Sequence, residues 1–317
     1  CNTCTNDEAD GGGGLNMQMS NPYLTRRSDA AAIISRADPV VYDSILLEGA
    51  TAQQKQDYAT NGFLQIDDLF STDEVKYLLD ELHQMRHAYA MQQRPEAIIE
   101  RESQEVRSIF NVHRLNEVFK NLVSDERVLN IARSLLGSEV YIHQSRINYK
   151  PGLHGKEFFW HSDFETWHSE DGMPRMRALS CSILLTDNNE HNGPLLVIPG
   201  SHQHYISCQG ETPDEHYKKS LKKQEYGVPD GSLLHYLADM GGIHSCTGRA
   251  GSVVFFDCNL MHGSNSNITP FSRSNIFFVY NSIDNQLQQP LGGIQPRPEF
   301  IAAREDIAPI KPKNLIL

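Results

Sequence analysis

Cationic residues are scarce in this chain: Lys plus Arg number 28 against 40 Asp plus Glu, a formal net charge of −12 over 317 residues. Nucleic-acid affinity rests on neutralising phosphates with basic side chains, so a nucleic-acid partner is not expected. Long apolar runs are missing as well. No stretch approaches the 18 or so consecutive apolar residues of a membrane-spanning helix, and no membrane partner is expected. Cysteine is sparse and scattered. Cys1, Cys4, Cys181, Cys208, Cys246 and Cys258 do not read as a disulfide framework at this length, and with no evident secretory leader the expected compartment is the reducing cytoplasm. The Cys1-x-x-Cys4 pair lacks a second pair and runs into Gly11 to Gly14. Residues 1–14 are therefore expected to be a disordered leader, and residues 15–317 a single domain.

Regular alternation of helix and strand is also lacking, which disfavours a doubly wound parallel sheet. Helical signals gather early in the chain. Ser71 with Glu74 is a capping-box pair ahead of Val75, Leu78, Leu79, Leu82 and Met85 at helical spacing. A second helix is expected from near Ser124, through Val128, Ile131, Leu135 and Leu136, to a stop at Gly137. Beyond Gly137 come short β-like runs between turn residues: Val140 to Tyr149, Leu179 to Thr186, Leu195 to Ile198, Val253 to Asp257 and Asn275 to Tyr280. The expected fold is mainly β with N-terminal helices, built on a jelly-roll core.

Chemistry concentrates in the segment from Phe158 to Pro174. On an extended segment His161 and Asp163 point to one face and offer an imidazole nitrogen and a carboxylate oxygen to one metal. A His-x-Asp pair alone is commonplace and more often a surface or hydrogen-bonded pair. His262 changes the weighing, because it follows the apolar run Val253 to Phe256 about a hundred residues downstream, where a later strand can bring it alongside. Two histidines and one carboxylate on one face suit an iron(II) oxygenase, though zinc-assisted hydrolysis also uses such ligands. Arg273, eleven residues after His262, can clamp a carboxylate through two parallel hydrogen bonds, which suits the distal end of 2-oxoglutarate. Lys150 closes a run in which Gln144, Arg146 and Asn148 share parity, so these side chains either line the barrel lumen or form a solvated sheet face.

The segment Phe158 to Pro174, with Asn192 to His202, Met261 to Asn265 and Arg273 to Asn275, resembles the signature of the ectoine hydroxylases, a family within the phytanoyl-CoA dioxygenase superfamily. The resemblance runs from about Asp38 to near the C-terminus. It implies a double-stranded β-helix of the jelly-roll or cupin type, and iron(II)-, 2-oxoglutarate- and O2-dependent hydroxylation of the small zwitterion ectoine. By resemblance, His161, Asp163 and His262 hold iron; Lys150, Ser264 and Arg273 hold 2-oxoglutarate; and Gln144, Trp167, Ser182, Phe256, Asn275 and Phe277 shape the ectoine pocket. Trp167 would offer an aromatic face to the delocalised amidinium, against the alternative of a simple core tryptophan. A homodimer is implied too. The rival expectations are a related dioxygenase with another small substrate and a cupin-like metal-binding protein without turnover.

Overall fold

Both expected helices form where their caps sit. In the computed structural model, described over residues 21–26, 31–42, 47–92, 94–100, 104–210, 212–213, 215, 217–220 and 227–315, the helix Thr72–Ala90 starts at a reciprocal capping box between Ser71 and Glu74. It buries Val75, Leu78, Leu82 and Met85. The helix Glu126–Leu136 is capped by Asp125, not Ser124, because the Asp125 carboxylate accepts from the Arg127 amide. It ends at Gly137 with φ of 59°, where a Cβ would stand 2.1 Å from the Tyr42 carbonyl oxygen, so only glycine fits. The expected leader lies outside the described residues.

The strands in chain order are β1 (Ile33–Ser35), β2 (Phe63–Ile66), β3 (Ala97–Ile99), β4 (Val106–Phe110), β5 (Val140–Lys150), β6 (Phe158–His161) and β7 (Ala178–Leu184). They continue with β8 (Leu195–Val197), β9 (His204–Ile206), β10 (His244–Cys246), β11 (Val253–Asp257), β12 (His262–Ser264) and β13 (Arg273–Ser282). A seven-stranded antiparallel sheet runs in the order β2-β11-β7-β13-β5-β4-β3, and a four-stranded one in the order β10-β8-β12-β6. Among the described residues four strands precede Gly137, where only helices are expected from the sequence. At three to five residues they are too short for an alternation to register, and tertiary pairing decides them.

Period-two alternation divides the large sheet into two unlike faces. Ile147, Cys181, Ile183, Phe255, Ile276 and Phe278 pack with helical Leu78, Leu82, Leu129 and Leu135 in one apolar core. At roughly 1.5–3 kcal/mol for each fully buried large apolar side chain, this layer holds the sheet to its helical cover. The opposite parity carries the polar residues. Register pairs Arg273 with Lys150, Asn275 with Asn148 and Phe277 with both Arg146 and Ser182. This face looks at the four-stranded sheet: Lys150 Nζ bonds Ser264 Oγ of β12 at 2.9 Å, and Val254, Phe256 and Phe277 pack with Leu195 and Val197 of β8. Asn148 and Lys150 are buried, and Arg146 is mostly so, which removes the solvated-face alternative.

Candidate active site

His161 ends β6 and His262 begins β12, directly opposite each other in register, with imidazole centroids 4.3 Å apart. Asp163 reaches them by a different route from the extended segment expected. The strand stops at His161, Ser162 caps the short helix Asp163–Thr166, and Asp163 is its first residue. This turn swings the carboxylate between the rings: Oδ1 lies 3.7 Å from His161 Nε2, and Oδ2 lies 3.8 Å from His262 Nε2. The three ligand atoms fall within 4.8 Å of one another, the one such group of His, Cys, Asp and Glu among the described residues.

The tautomers suit a cation. Nδ1 of His161 donates to the Phe159 carbonyl at 2.7 Å, and Nδ1 of His262 to the Leu260 carbonyl at 2.9 Å. Each bond holds its ring by the residue two positions back and leaves Nε2 as a lone pair facing Asp163. Burial, reinforced by His262, pushes the His161 imidazole down to about 4, so it is neutral at physiological pH. Ser180 Oγ stands 3.4 Å from Asp163 Oδ2. Two imidazoles and a carboxylate match the facial ligand set of iron(II) oxygenases.

Beside this triad lies a cationic corner. Arg273 is buried and donates from Nη1 to the Gly193 carbonyl at 2.6 Å, while its Nε has no partner among the described residues. Burial lowers its pKa to about 10. Lys150, its register partner, donates to Ser264 Oγ and to the Asn265 carbonyl at 2.5 Å. Burial, and then the Arg273 charge, push the Lys150 amine down to about 6. A buried guanidinium with no acidic partner among the described residues is a costly arrangement that an anionic guest relieves.

The remaining expected pocket residues divide by depth. Phe256 tilts against His262 with centroids 5.1 Å apart, and Asn275 Nδ2 donates to Ser182 Oγ at 3.4 Å. The side-chain Oδ1 atoms of Asn275 and Asn148 have no partner among the described residues. Arg146 lies over the Phe277 ring at 5.0 Å. Gln144 is drawn to the C-terminal segment, donating to the Ile301 carbonyl at 2.9 Å. Trp167 is packed as a core residue would be, in one apolar cluster with Phe164, Met173, Met176 and Val279, the register partner of Gln144, and its indole stands edge-on to the His143 ring with centroids 5.1 Å apart. Ser180 escaped the sequence reading, although its parity with Ser182 marks it. His168, His202 and His244 stand apart: His168 bonds the Met173 carbonyl, His202 the Ala59 carbonyl, and His244 stacks on Phe63.

Residues 58–275 match the profile of the family described as Phytanoyl-CoA dioxygenase (PhyH). An ectoine dioxygenase from Bordetella bronchiseptica is 58% identical over 293 residues, covering 92% of this chain and 95% of the relative. The chain belongs to the phytanoyl-CoA dioxygenase family, among its ectoine dioxygenases. A second such member, from Stutzerimonas stutzeri, is 54% identical over 289 residues, covering 91% of this chain and 96% of its own. The fold agrees with this family. The crystal structure of EctD from S. alaskensis with 2-oxoglutarate and 5-hydroxyectoine is similar at a TM-score of 0.83 and 46% identity, covering 92% of this chain and 97% of that one. That of the same enzyme with bound Fe gives 0.82 and 45%, with 92% and 98% covered. These relationships and the antiparallel sheets establish the jelly-roll fold expected from the sequence.

Proposed function

We propose that this protein hydroxylates ectoine to 5-hydroxyectoine, with 2-oxoglutarate converted to succinate and carbon dioxide. The observation that carries the reading is the convergence of His161, Asp163 and His262 beside a buried guanidinium whose Nε has no partner among the described residues, in a chain this close to ectoine dioxygenases. Iron(II) bound with 2-oxoglutarate and dioxygen supplies the oxidising chemistry. The chain's own groups hold and orient. His161, Asp163 and His262 are the iron ligands, with Ser180 steadying the free edge of the carboxylate. Arg273 takes the distal carboxylate of 2-oxoglutarate, with Lys150 and Ser264 next to it. Phe256, Phe277 and Trp167 wall the lumen against water, while Ser182 and Asn275 offer polar contacts and Gln144 lies at the Trp167 end.

The direct test incubates purified protein with Fe(II), 2-oxoglutarate and ectoine and follows succinate and a 16 Da mass gain on ectoine. Succinate release that ignores ectoine, with no hydroxylated product, would refute the substrate assignment. The cytoplasm and a homodimer complete the proposal. Cys181, Cys208, Cys246 and Cys258 are buried free thiols, which supports a reducing compartment, and no described helix is long and apolar enough to cross a membrane.

Lys150 gives the co-substrate step a pH signature. With its pKa lowered from 10.5 to about 6, the amine is neutral at pH 7.5 in the absence of a guest anion. A carboxylate alongside raises the pKa, so binding takes up a proton between those two values and weakens as pH rises through them. Titration calorimetry of 2-oxoglutarate in buffers of different ionisation heat is expected to show uptake approaching one proton, lost in Lys150→Met. Identical heats in all buffers would remove Lys150 from the carboxylate.

A further inference from the structure

The element that begins with Asp163 is held from behind by buried charge. After Asp163–Thr166 the chain widens into a π-helix, Trp167–Asp171, stopped by Gly172 at φ of 73°. Isolated π turns are uncommon and concentrate at functional sites. Glu165, Glu170 and Asp171 on this element are all buried. Their counter-ions come from far away in sequence. Arg26 donates from Nε and Nη2 to the two oxygens of Glu165 at 3.0 and 2.9 Å, and from Nη1 to Glu170 at 2.5 Å. Thr25 Oγ1 adds a bond to Glu165 at 2.7 Å, and Tyr23 stands edge-on to Phe164 with centroids 5.3 Å apart. From the other end of the chain, Arg297 grips both oxygens of Asp171 at 2.7 and 2.5 Å.

Arg26 and Arg297 both lie outside residues 58–275, the part matched by the superfamily profile. Both arginines of the clamp thus come from segments that flank the matched part. A buried ion pair is seldom the most stabilising solution for a core, and its fork-to-fork geometry restricts orientation more than it adds stability. The element so restricted carries Asp163 at its start and Trp167 at its middle.

We propose that Arg26, assisted by Thr25, is a positioning residue that fixes the Asp163–Asp171 element through Glu165 and Glu170, and so sets both the bite of the metal carboxylate and the seat of Trp167. This rests on the reading of Asp163 as an iron ligand. Trp160 and Trp167 are the two tryptophans of the chain, so Trp160→Phe leaves Trp167 as sole fluorophore. In that background the test compares Arg26→Lys, which keeps charge but loses the fork, with Thr25→Ala and its conservative counterpart Thr25→Ser.

Fe(II) affinity is measured anaerobically by chelator competition, Trp167 emission without metal, and melting as the control for folding. Changes behind a ligand commonly cost 10- to 100-fold in metal affinity. Arg26→Lys is expected to raise the Fe(II) Kd about tenfold and shift Trp167 emission to the red. Thr25→Ala should give a smaller change in the same direction, restored by Thr25→Ser. Unaltered Kd and emission in Arg26→Lys and Thr25→Ala, with only a lower melting temperature, would reduce the clamp to a structural role and overturn the proposal. Should Arg26→Lys not fold, the Thr25 pair decides by the same two readouts. Failure of the parent protein to bind Fe(II) would instead count against the ligand assignment, while Trp167 emission still reports on the clamp.

Discussion

Replacing Asp163 with Ala is expected to lower ectoine hydroxylation by more than about 100-fold, because disturbing groups behind a metal ligand already costs 10- to 100-fold and here the ligand itself is lost. The Asp163 carboxylate is the only anionic member of the triad, and its oxygens stand 3.7 and 3.8 Å from the two imidazole nitrogens. Asp163→Asn keeps the size and the helix start while removing the charge, so it separates metal binding from local folding. Both variants are expected to keep the far-UV spectrum of the parent and to lose tight Fe(II) binding in chelator competition. Turnover within threefold of the parent in Asp163→Ala would take the residue out of the ligand set. His161→Ala and His262→Ala are expected to behave alike, since each ring is held by a single backbone carbonyl and contributes one Nε2.

The second large effect is expected at Arg273. Truncating one partner of a buried, hydrogen-bonded charge pair commonly costs about 2–5 kcal/mol, which corresponds to roughly 30- to 5,000-fold in the 2-oxoglutarate requirement. Arg273→Ala should therefore raise the KM for 2-oxoglutarate by at least about 30-fold while leaving that for ectoine much less changed. Arg273→Lys is expected to recover only part of this, because an ammonium cannot form the two parallel bonds of a guanidinium. The assay is succinate release at saturating ectoine across a 2-oxoglutarate series. A KM unchanged in Arg273→Ala would sink the clamp, and an equal rise in both substrates' KM would place the fault in the scaffold.

Much of this site was readable from residue order because its chemistry follows local rules. The His161-x-Asp163 spacing, the later His262 and Arg273, and the parity of Gln144, Arg146, Asn148 and Lys150 each point to a lumen with a metal at one side. The capping box at Ser71 and the stop at Gly137 placed two helices by the same kind of local bookkeeping. The route by which Asp163 arrives was not readable. A strand that ends at His161 and a helix that begins at Asp163 leave no periodic trace over three residues, and Ser162 as a cap competes with Ser162 as an ordinary strand residue. Trp167 shows the other limit, for its packing beside Val279 depends on a π-helix that no short window of sequence announces.

Composition, patterning and motif spacing by themselves pointed to a jelly roll, to the iron ligand candidates and to Arg273 as a candidate carboxylate clamp, since each rests on side-chain type and order along the chain. Tertiary structure alone decided which distant groups meet: His262 opposite His161, Lys150 beside Arg273, and Arg26 and Arg297 behind the element that bears Asp163. The reason is physical. Intervals along a strand follow from backbone geometry, whereas the pairing of β6 with β12 and the burial of Glu165, Glu170 and Asp171 against remote arginines depend on how all the sheets and both terminal segments pack at once.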